Sequence, residues 1–130
     1  MWIIGHGIDI VETARIAKLI EQHTSRFLDR CFTEAERAYA DGRRRRVEHL
    51  AVRFAAKEAI FKALGTGLTG GIRWTDAEVV RQPAGQPTVA LHGCASDIAF
   101  TQGIEQWCLS LSHTSDYAIA SAIACGSKGR

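Results

Sequence analysis

Residues 47–64 constrain the fold more than any other stretch, because their helical pattern is apolar nearly all round. On a wheel of about 100° per residue, small side chains line one face and large apolar side chains line another. The small ones are Ala51, Val52, Ala55, Ala56, Ala59 and Ala63, and the large ones are Leu50, Phe54, Phe61 and Leu64. A helix with two apolar faces is buried between other elements. Since Gly65 and Gly67 end the pattern, we predict a long central helix.

The remaining sequence predicts helices mainly before this segment and strands mainly after it. Helices, recognised by an apolar stripe or a capping box, are predicted over residues 13–23, 25–32, 33–41 and 96–102. Strands are predicted over residues 2–11, 74–81, 88–92, 105–113 and 117–124, of which the first is expected to be fully buried. We therefore expect an α+β fold with an antiparallel sheet packed around the central helix. The expected domain covers residues 1–125, and residues 126–130 form a polar tail.

Length and composition favour a small cytoplasmic domain. The chain has 130 residues, of which 46% are hydrophobic, and a formal net charge of +2. This mild basicity does not indicate a nucleic-acid partner. Because the sequence shows neither a signal-peptide pattern nor an apolar run of membrane-spanning length, we expect no secretion and no membrane partner. The four cysteines form no C-x-x-C pair, which favours buried thiols in a reducing compartment.

Two carboxylates lie in segments that are predicted to be buried, where a charged group is costly. Glu58 lies in the polar strip of the long helix, four residues before Lys62, and the two are either an ordinary surface pair or part of a site. Asp9 is flanked by Ile8 and Ile10 in the apolar first strand. A buried carboxylate needs a partner or a metal. Two such groups in one small core suggest a shared cation, and oxygen ligands favour Mg²⁺ together with a substrate phosphate.

Other polar groups have a functional and a structural interpretation. His113, beside Ser112 at the end of a predicted strand, either binds a phosphate or caps the turn. The four arginines at residues 43–46 are most simply a solvated connection. A basic helix face beside an exposed aromatic side chain suits docking to an acidic protein, or is a solvated surface. Its residues are Arg15, Lys18, Gln22, Arg26 and Phe27.

Four short motifs follow one another over nearly the whole chain. The first two are Gly7-Ile8-Asp9-Ile10-Val11-Glu12 with Arg15-Ile16, and Phe27, Arg30, Phe32-Thr33 and Glu36. The last two are Arg53-Phe54-Ala55-Ala56-Lys57-Glu58-Ala59 with Lys62-Ala63-Leu64-Gly65, and Leu111-Ser112-His113-Thr114 with Tyr117-Ala118. Together they resemble the holo-[acyl-carrier-protein] synthase family, the short single-domain 4′-phosphopantetheinyl transferases.

The resemblance implies a reaction and an assembly. Such enzymes transfer the 4′-phosphopantetheine arm of coenzyme A to a serine of apo-acyl carrier protein. Adenosine 3′,5′-bisphosphate is released, and the product supports fatty acid biosynthesis. The resemblance also implies the family's fold, and homotrimers with active sites between subunits.

The resemblance further implies roles for individual residues. Asp9 and Glu58 match the Mg²⁺ ligands, Lys62 would stabilise phosphate charge, and Glu58 or a water on the metal would take the serine proton. Coenzyme A would contact Arg53, Lys62, Ser112 and His113. The basic helix face would receive the acidic carrier protein, and Lys18 departs from a commonly apolar position there.

Two other functions stay open on the sequence alone. A different Mg²⁺-dependent phosphohydrolase could use the same carboxylates, and would consume coenzyme A without an acceptor protein. A non-catalytic module could use the basic helix or the arginines to hold an acidic partner, and would tolerate loss of Asp9 and Glu58.

Overall fold

The computed structural model describes residues 1–128, which form five helices, five strands and one 3₁₀ turn. The helices are α1 (Thr13–His23), α2 (Ser25–Cys31), α3 (Glu34–Asp41), α4 (Arg46–Leu64) and α5 (Gly93–Thr101). The strands are β1 (Trp2–Glu12), β2 (Ala77–Arg81), β3 (Pro87–Leu91), β4 (Gln106–His113) and β5 (Tyr117–Gly126). The 3₁₀ turn covers Trp74–Asp76. Each predicted element is present, with ends within a few residues of the prediction.

The strands form two antiparallel sheets, whereas the sequence predicted one. β1, β5 and β4 make a three-stranded sheet with β5 in the middle. β2 and β3 form a separate hairpin, whose turn is closed by a hydrogen bond from the Gln82 N–H to the Gln86 oxygen. Alternation along a strand indicates which side chains share a face, but it does not say which edges pair.

The inner face of the three-stranded sheet carries small residues, and α4 lies directly on it. In β5 these are the buried residues Ala118, Ala120, Ala122 and Ala124. In β1, a Cβ atom on Gly5 would lie 2.0 Å from the Ala63 oxygen, and one on Gly7 would lie 1.9 Å from the Ala59 oxygen. Neither glycine could carry a side chain unless α4 moved away. The small-residue face of α4 therefore packs against β1 at backbone distance.

The outer face of the same sheet is apolar and exposed, so the prediction of a fully buried first strand is wrong. Inward residues of β1 such as Ile4 and Val11 are buried. Outward residues are exposed by 70% at Ile3, 54% at Ile8 and 61% at Ile10. A continuous apolar run predicts burial, but it does not say whether the covering surface belongs to the same chain.

The C-terminal strand extends to Gly126, one residue beyond the predicted domain boundary. Ser127 is tied back by donating from its N–H and hydroxyl to Glu105 Oε1. The last two residues of the predicted tail, 129 and 130, lie outside the described residues. Along residues 1–128, no helix has the length and apolar character needed to cross a membrane.

The approach of α4 to β1 predicts an unequal response to glycine substitution. Gly7→Ala should lower the free energy of unfolding by about 1–3 kcal/mol, because the new methyl group would overlap a backbone oxygen that cannot swing aside. Gly42→Ala, at a site with nothing within 4 Å of the added Cβ, should change it by less than about 0.5 kcal/mol. Urea unfolding of both variants tests this, and equal effects would contradict the packing described.

Candidate active site

Asp9 and Lys62 meet where β1 crosses α4. Asp9 points to the inner face of the sheet, away from the exposed Ile8 and Ile10, and is opposite Ala120 of β5. Lys62 Nζ lies 3.1 Å from Asp9 Oδ1 and 3.0 Å from the Ile8 oxygen. The ammonium is about half exposed, so it remains accessible to a ligand while it holds the strand.

Glu58 lies one turn before Lys62 and faces the same place. Partial burial raises the pKa of Glu58, and the Asp9 carboxylate raises it further through its charge and through a hydrogen bond to the protonated form. The charges of Arg15 and Lys62 oppose this rise. Two carboxylates held this close repel one another, and a divalent cation relieves that repulsion. The pair matches the one or two carboxylates with which Mg²⁺ is usually bound.

A cavity of about 200 Å³ opens beside this group. Glu58 and Lys62 provide its charged wall, and Phe61, Leu68 and Trp74 provide its apolar walls. The cavity can therefore take a ligand with a phosphate at one end and a less polar chain at the other.

A second pocket of about 670 Å³, here called the arginine pocket, lies between the start of α1 and the start of α4. Arg44, Arg45 and Arg46 line it, and so do the acidic residues Glu12, Glu48 and Asp116. Thr13 also lines it, and its buried hydroxyl has no hydrogen-bond partner. The sequence treated these arginines as a solvated connection. These arginines line one pocket because of the turn before α4, and patterns in the sequence do not specify that turn.

The predicted coenzyme A contacts are not brought together in the single chain. His113 Nδ1 is 2.9 Å from Glu48 Oε1, and Glu48 borders the arginine pocket. Ser112 points to the opposite, outer face of β4 and is exposed. Arg53 is 1% exposed, with its guanidinium 4.1 Å from the centre of the Tyr39 ring. His113 therefore adjoins the arginine pocket through Glu48.

The predicted docking face is present apart from its aromatic member. Four of its side chains are exposed along α1 and α2, namely Arg15, Lys18, Gln22 and Arg26. Phe27 is buried, because α2 is short and turns this ring toward Phe32 and Phe54. It still forms part of the floor of a groove of about 370 Å³ that Arg26 and Trp74 also line. The expectation of an exposed aromatic at Phe27 is wrong.

Comparison with known proteins assigns the chain to a family. Residues 5–122 match the 4′-phosphopantetheinyl transferase superfamily, and the chain belongs to it. The holo-[acyl-carrier-protein] synthase of Koribacter versatilis is 50% identical over 121 residues, which cover 93% of this chain and 97% of that protein. The holo-[acyl-carrier-protein] synthase of Desulforudis audaxviator is 49% identical over 95% of this chain and 94% of its own length.

Solved structures give the same assignment. The holo-[acyl-carrier-protein] synthase of Neisseria meningitidis superimposes with a TM-score of 0.87 at 33% identity, over 95% of this chain and 98% of that one. The Helicobacter pylori holo-[acyl-carrier-protein] synthase, solved in complex with coenzyme A, superimposes with a TM-score of 0.82 at 28% identity. The superposition covers 92% of this chain and 99% of that one. The family predicted from four motifs is confirmed.

The raised pKa of Glu58 predicts a pH-dependent effect on stability. In the protein with EDTA, Glu58→Gln should raise the melting temperature by a few degrees near pH 7, because ionising this carboxyl is harder in the folded state than in the unfolded state. Below about pH 4 both states bind the proton and the gain should vanish. Thermal unfolding at the two pH values tests this, and a loss of stability near pH 7 would contradict it.

Proposed function

We propose that this chain transfers the 4′-phosphopantetheine arm of coenzyme A to a serine of apo-acyl carrier protein, releasing adenosine 3′,5′-bisphosphate. The observation that carries the proposal is the convergence of Asp9, Glu58 and Lys62 beside a partly apolar cavity in a member of this superfamily. The relatives named above are holo-[acyl-carrier-protein] synthases. The proposal includes a cytoplasmic location and a role in fatty acid biosynthesis.

The proposed reaction is Mg²⁺-dependent, with Asp9 and Glu58 as the protein ligands. The ion, when bound, neutralises the charge of the pyrophosphate and of the leaving bisphosphate. Lys62 supplies a positive charge that is half exposed and so can donate to a phosphate oxygen. Burial and the charge of Asp9 raise the pKa of Glu58 in the metal-free chain. In the proposed reaction the serine proton would go to Glu58 or to a water on the metal.

We assign the arginine pocket to the phosphorylated adenosine end of coenzyme A. The arginines at residues 44–46 would donate to the phosphate although acidic residues share the lining, and His113 adjoins them through Glu48. Arg53 is buried under Tyr39, so in this proposal it supports that end of α4 from behind. Ser112 lies on the outer sheet face, where it would reach coenzyme A only at a boundary between subunits.

The exposed face of α1 and α2 is assigned to the carrier protein. Positive charge along one edge of an apolar groove suits an acidic, amphipathic helix, because charge steers the encounter and the apolar floor retains it. Arg15 joins this face to the active site, since its charge acts on Glu58 and its guanidinium lies 5.7 Å from the centre of the Phe54 ring.

The outer face of the three-stranded sheet is assigned to a homotrimer. Ile8 and Ile10 would be covered by neighbouring copies, which accounts for apolar residues exposed on a folded chain. Sedimentation equilibrium should give about three times the 14.2 kDa chain mass. Ile10→Lys should shift the protein to monomer, whereas Lys18→Ala on the opposite side should not. A monomeric wild-type protein would contradict this assignment.

Mass spectrometry of apo-carrier protein incubated with coenzyme A, Mg²⁺ and this protein tests the activity directly. The carrier should gain one phosphopantetheine group. The gain should be lost with EDTA and reduced at least about 100-fold by Glu58→Ala, which removes a metal ligand and a base. No gain with wild-type protein would contradict the proposal.

Two control measurements separate the alternatives. Hydrolysis of coenzyme A in the absence of carrier protein would favour a phosphohydrolase. If the wild-type protein transfers nothing and Asp9→Ala binds the carrier protein as well as the wild type does, a non-catalytic module would be favoured. Arg26→Glu, on the docking face, should raise the KM for carrier protein about tenfold and leave the KM for coenzyme A unchanged.

A further inference from the structure

A buried ion pair lies directly behind Glu58. Lys57 Nζ is 2.7 Å from Glu36 Oε1, and neither side chain is exposed to solvent. The ammonium also donates to the backbone oxygens of Ala77, at 2.6 Å, and of Trp74, at 3.3 Å. Three hydrogens therefore have three acceptors, which is how a buried ammonium is tolerated.

The carboxylate of Glu36 is satisfied as completely. It accepts from the backbone N–H of Thr33 at 2.9 Å, as part of the capping box of α3, and from the N–H of Val79 at 2.9 Å. The pair thus joins α4 to α3 and to β2. The sequence placed both residues in motifs but gave neither a partner, because their separation of 21 positions has no local signal.

Stability alone is a weak explanation for such a pair. The cost of removing two charges from water offsets much of their attraction, and apolar residues of similar size often serve as well. The pair does fix local geometry, because an ammonium that donates to three oxygens determines the relative positions of those oxygens. Two of these oxygens are backbone carbonyl oxygens, one of Trp74 at the start of the 3₁₀ turn and one of Ala77 directly after it.

The turn held in this way carries Trp74, whose ring lies between two cavities. The indole stacks on Phe54 with ring centres 4.7 Å apart and meets the edge of Phe61 at 5.8 Å. Trp74 lines both the cavity of Glu58 and Lys62 and the groove of the docking face.

We propose that the Lys57–Glu36 pair is a positioning device, which holds Trp74 as the common wall between the coenzyme A cavity and the carrier-protein groove. The proposal rests on the proposed function, because it assumes that the two substrates meet at this wall. Lys57 and Glu36 act through Trp74 and touch neither substrate. A shift of the wall would misalign the serine and the pyrophosphate while leaving both substrates bound, and misalignment of about 1 Å can cost about 100-fold in rate.

The test uses Lys57→Met combined with Glu36→Gln, which removes both charges and keeps one side-chain oxygen to accept from the N–H of Thr33 or of Val79. We expect kcat to fall at least about tenfold and the KM for coenzyme A to change by less than about threefold, because its phosphates are held elsewhere. With Trp2→Phe and Trp107→Phe, Trp74 is the sole tryptophan of the chain. In that background, acrylamide quenching of its fluorescence should increase about twofold or more in the double variant.

Val52→Ala is the matched control, because it loosens a buried position of α4 without touching the pair. It should leave kcat and the quenching of Trp74 unchanged. If it changes both as much as the double variant does, general loosening is the cause and the proposal is wrong.

Other results are equally decisive. A folded double variant with unchanged quenching or unchanged kcat would overturn the proposal. If the double variant does not fold, Trp74→Leu replaces it, since the proposal requires a similar loss of kcat when the wall itself is removed, and a normal kcat would overturn it. A wild-type protein without transferase activity would refute the proposed function, while the quenching comparison would still decide whether the pair holds Trp74.

Discussion

Backbone contact between α4 and β1 sets the position of the other groups described above. Gly5 and Gly7 leave no room for a Cβ atom, and the facing residues of α4 are Ala59 and Ala63. At this distance the last turns of the helix run against the strand, so the next inward residue of β1, Asp9, is brought to Lys62. Larger side chains at the contact would separate the helix from the sheet and the cation from the carboxylate.

The same contact determines the electrostatics of the site. Because Asp9 and Glu58 come from different elements, their mutual repulsion is opposed by the packing energy of α4 on the sheet and not by any local preference. Burial is the main cause of the raised pKa of Glu58, and the repulsion by Asp9 adds to it. Under the proposed assignment, a bound Mg²⁺ would remove a cost that already exists in the folded chain.

Local patterns predicted much of the fold and part of the site. Helical periodicity indicated α4, and alternation separated Asp9 from Ile8 and Ile10 without indicating which of the two faces is buried. What local patterns could not supply was the identity of partners distant in the chain, such as Glu36 for Lys57 or Glu48 for His113. Phe27 was placed on the surface because an aromatic beside arginines fits either location, and only the packing of α2 decides between them.

The contact of Gly5 and Gly7 with Ala63 and Ala59 also excludes insertions in the last turns of α4. One extra residue between Ala59 and Lys62 would rotate everything after it by about 100° and advance it by about 1.5 Å. The helix could then keep Ala59 against Gly7, or Lys62 against Asp9, but not both. The connection after α4 has no such restriction, since Gly65, Gly67, Gly70 and Gly71 all adopt positive φ and none has a neighbour within 4 Å of an added Cβ. Homologous chains should therefore vary in length after residue 65 and keep a fixed count from residue 58 to residue 63.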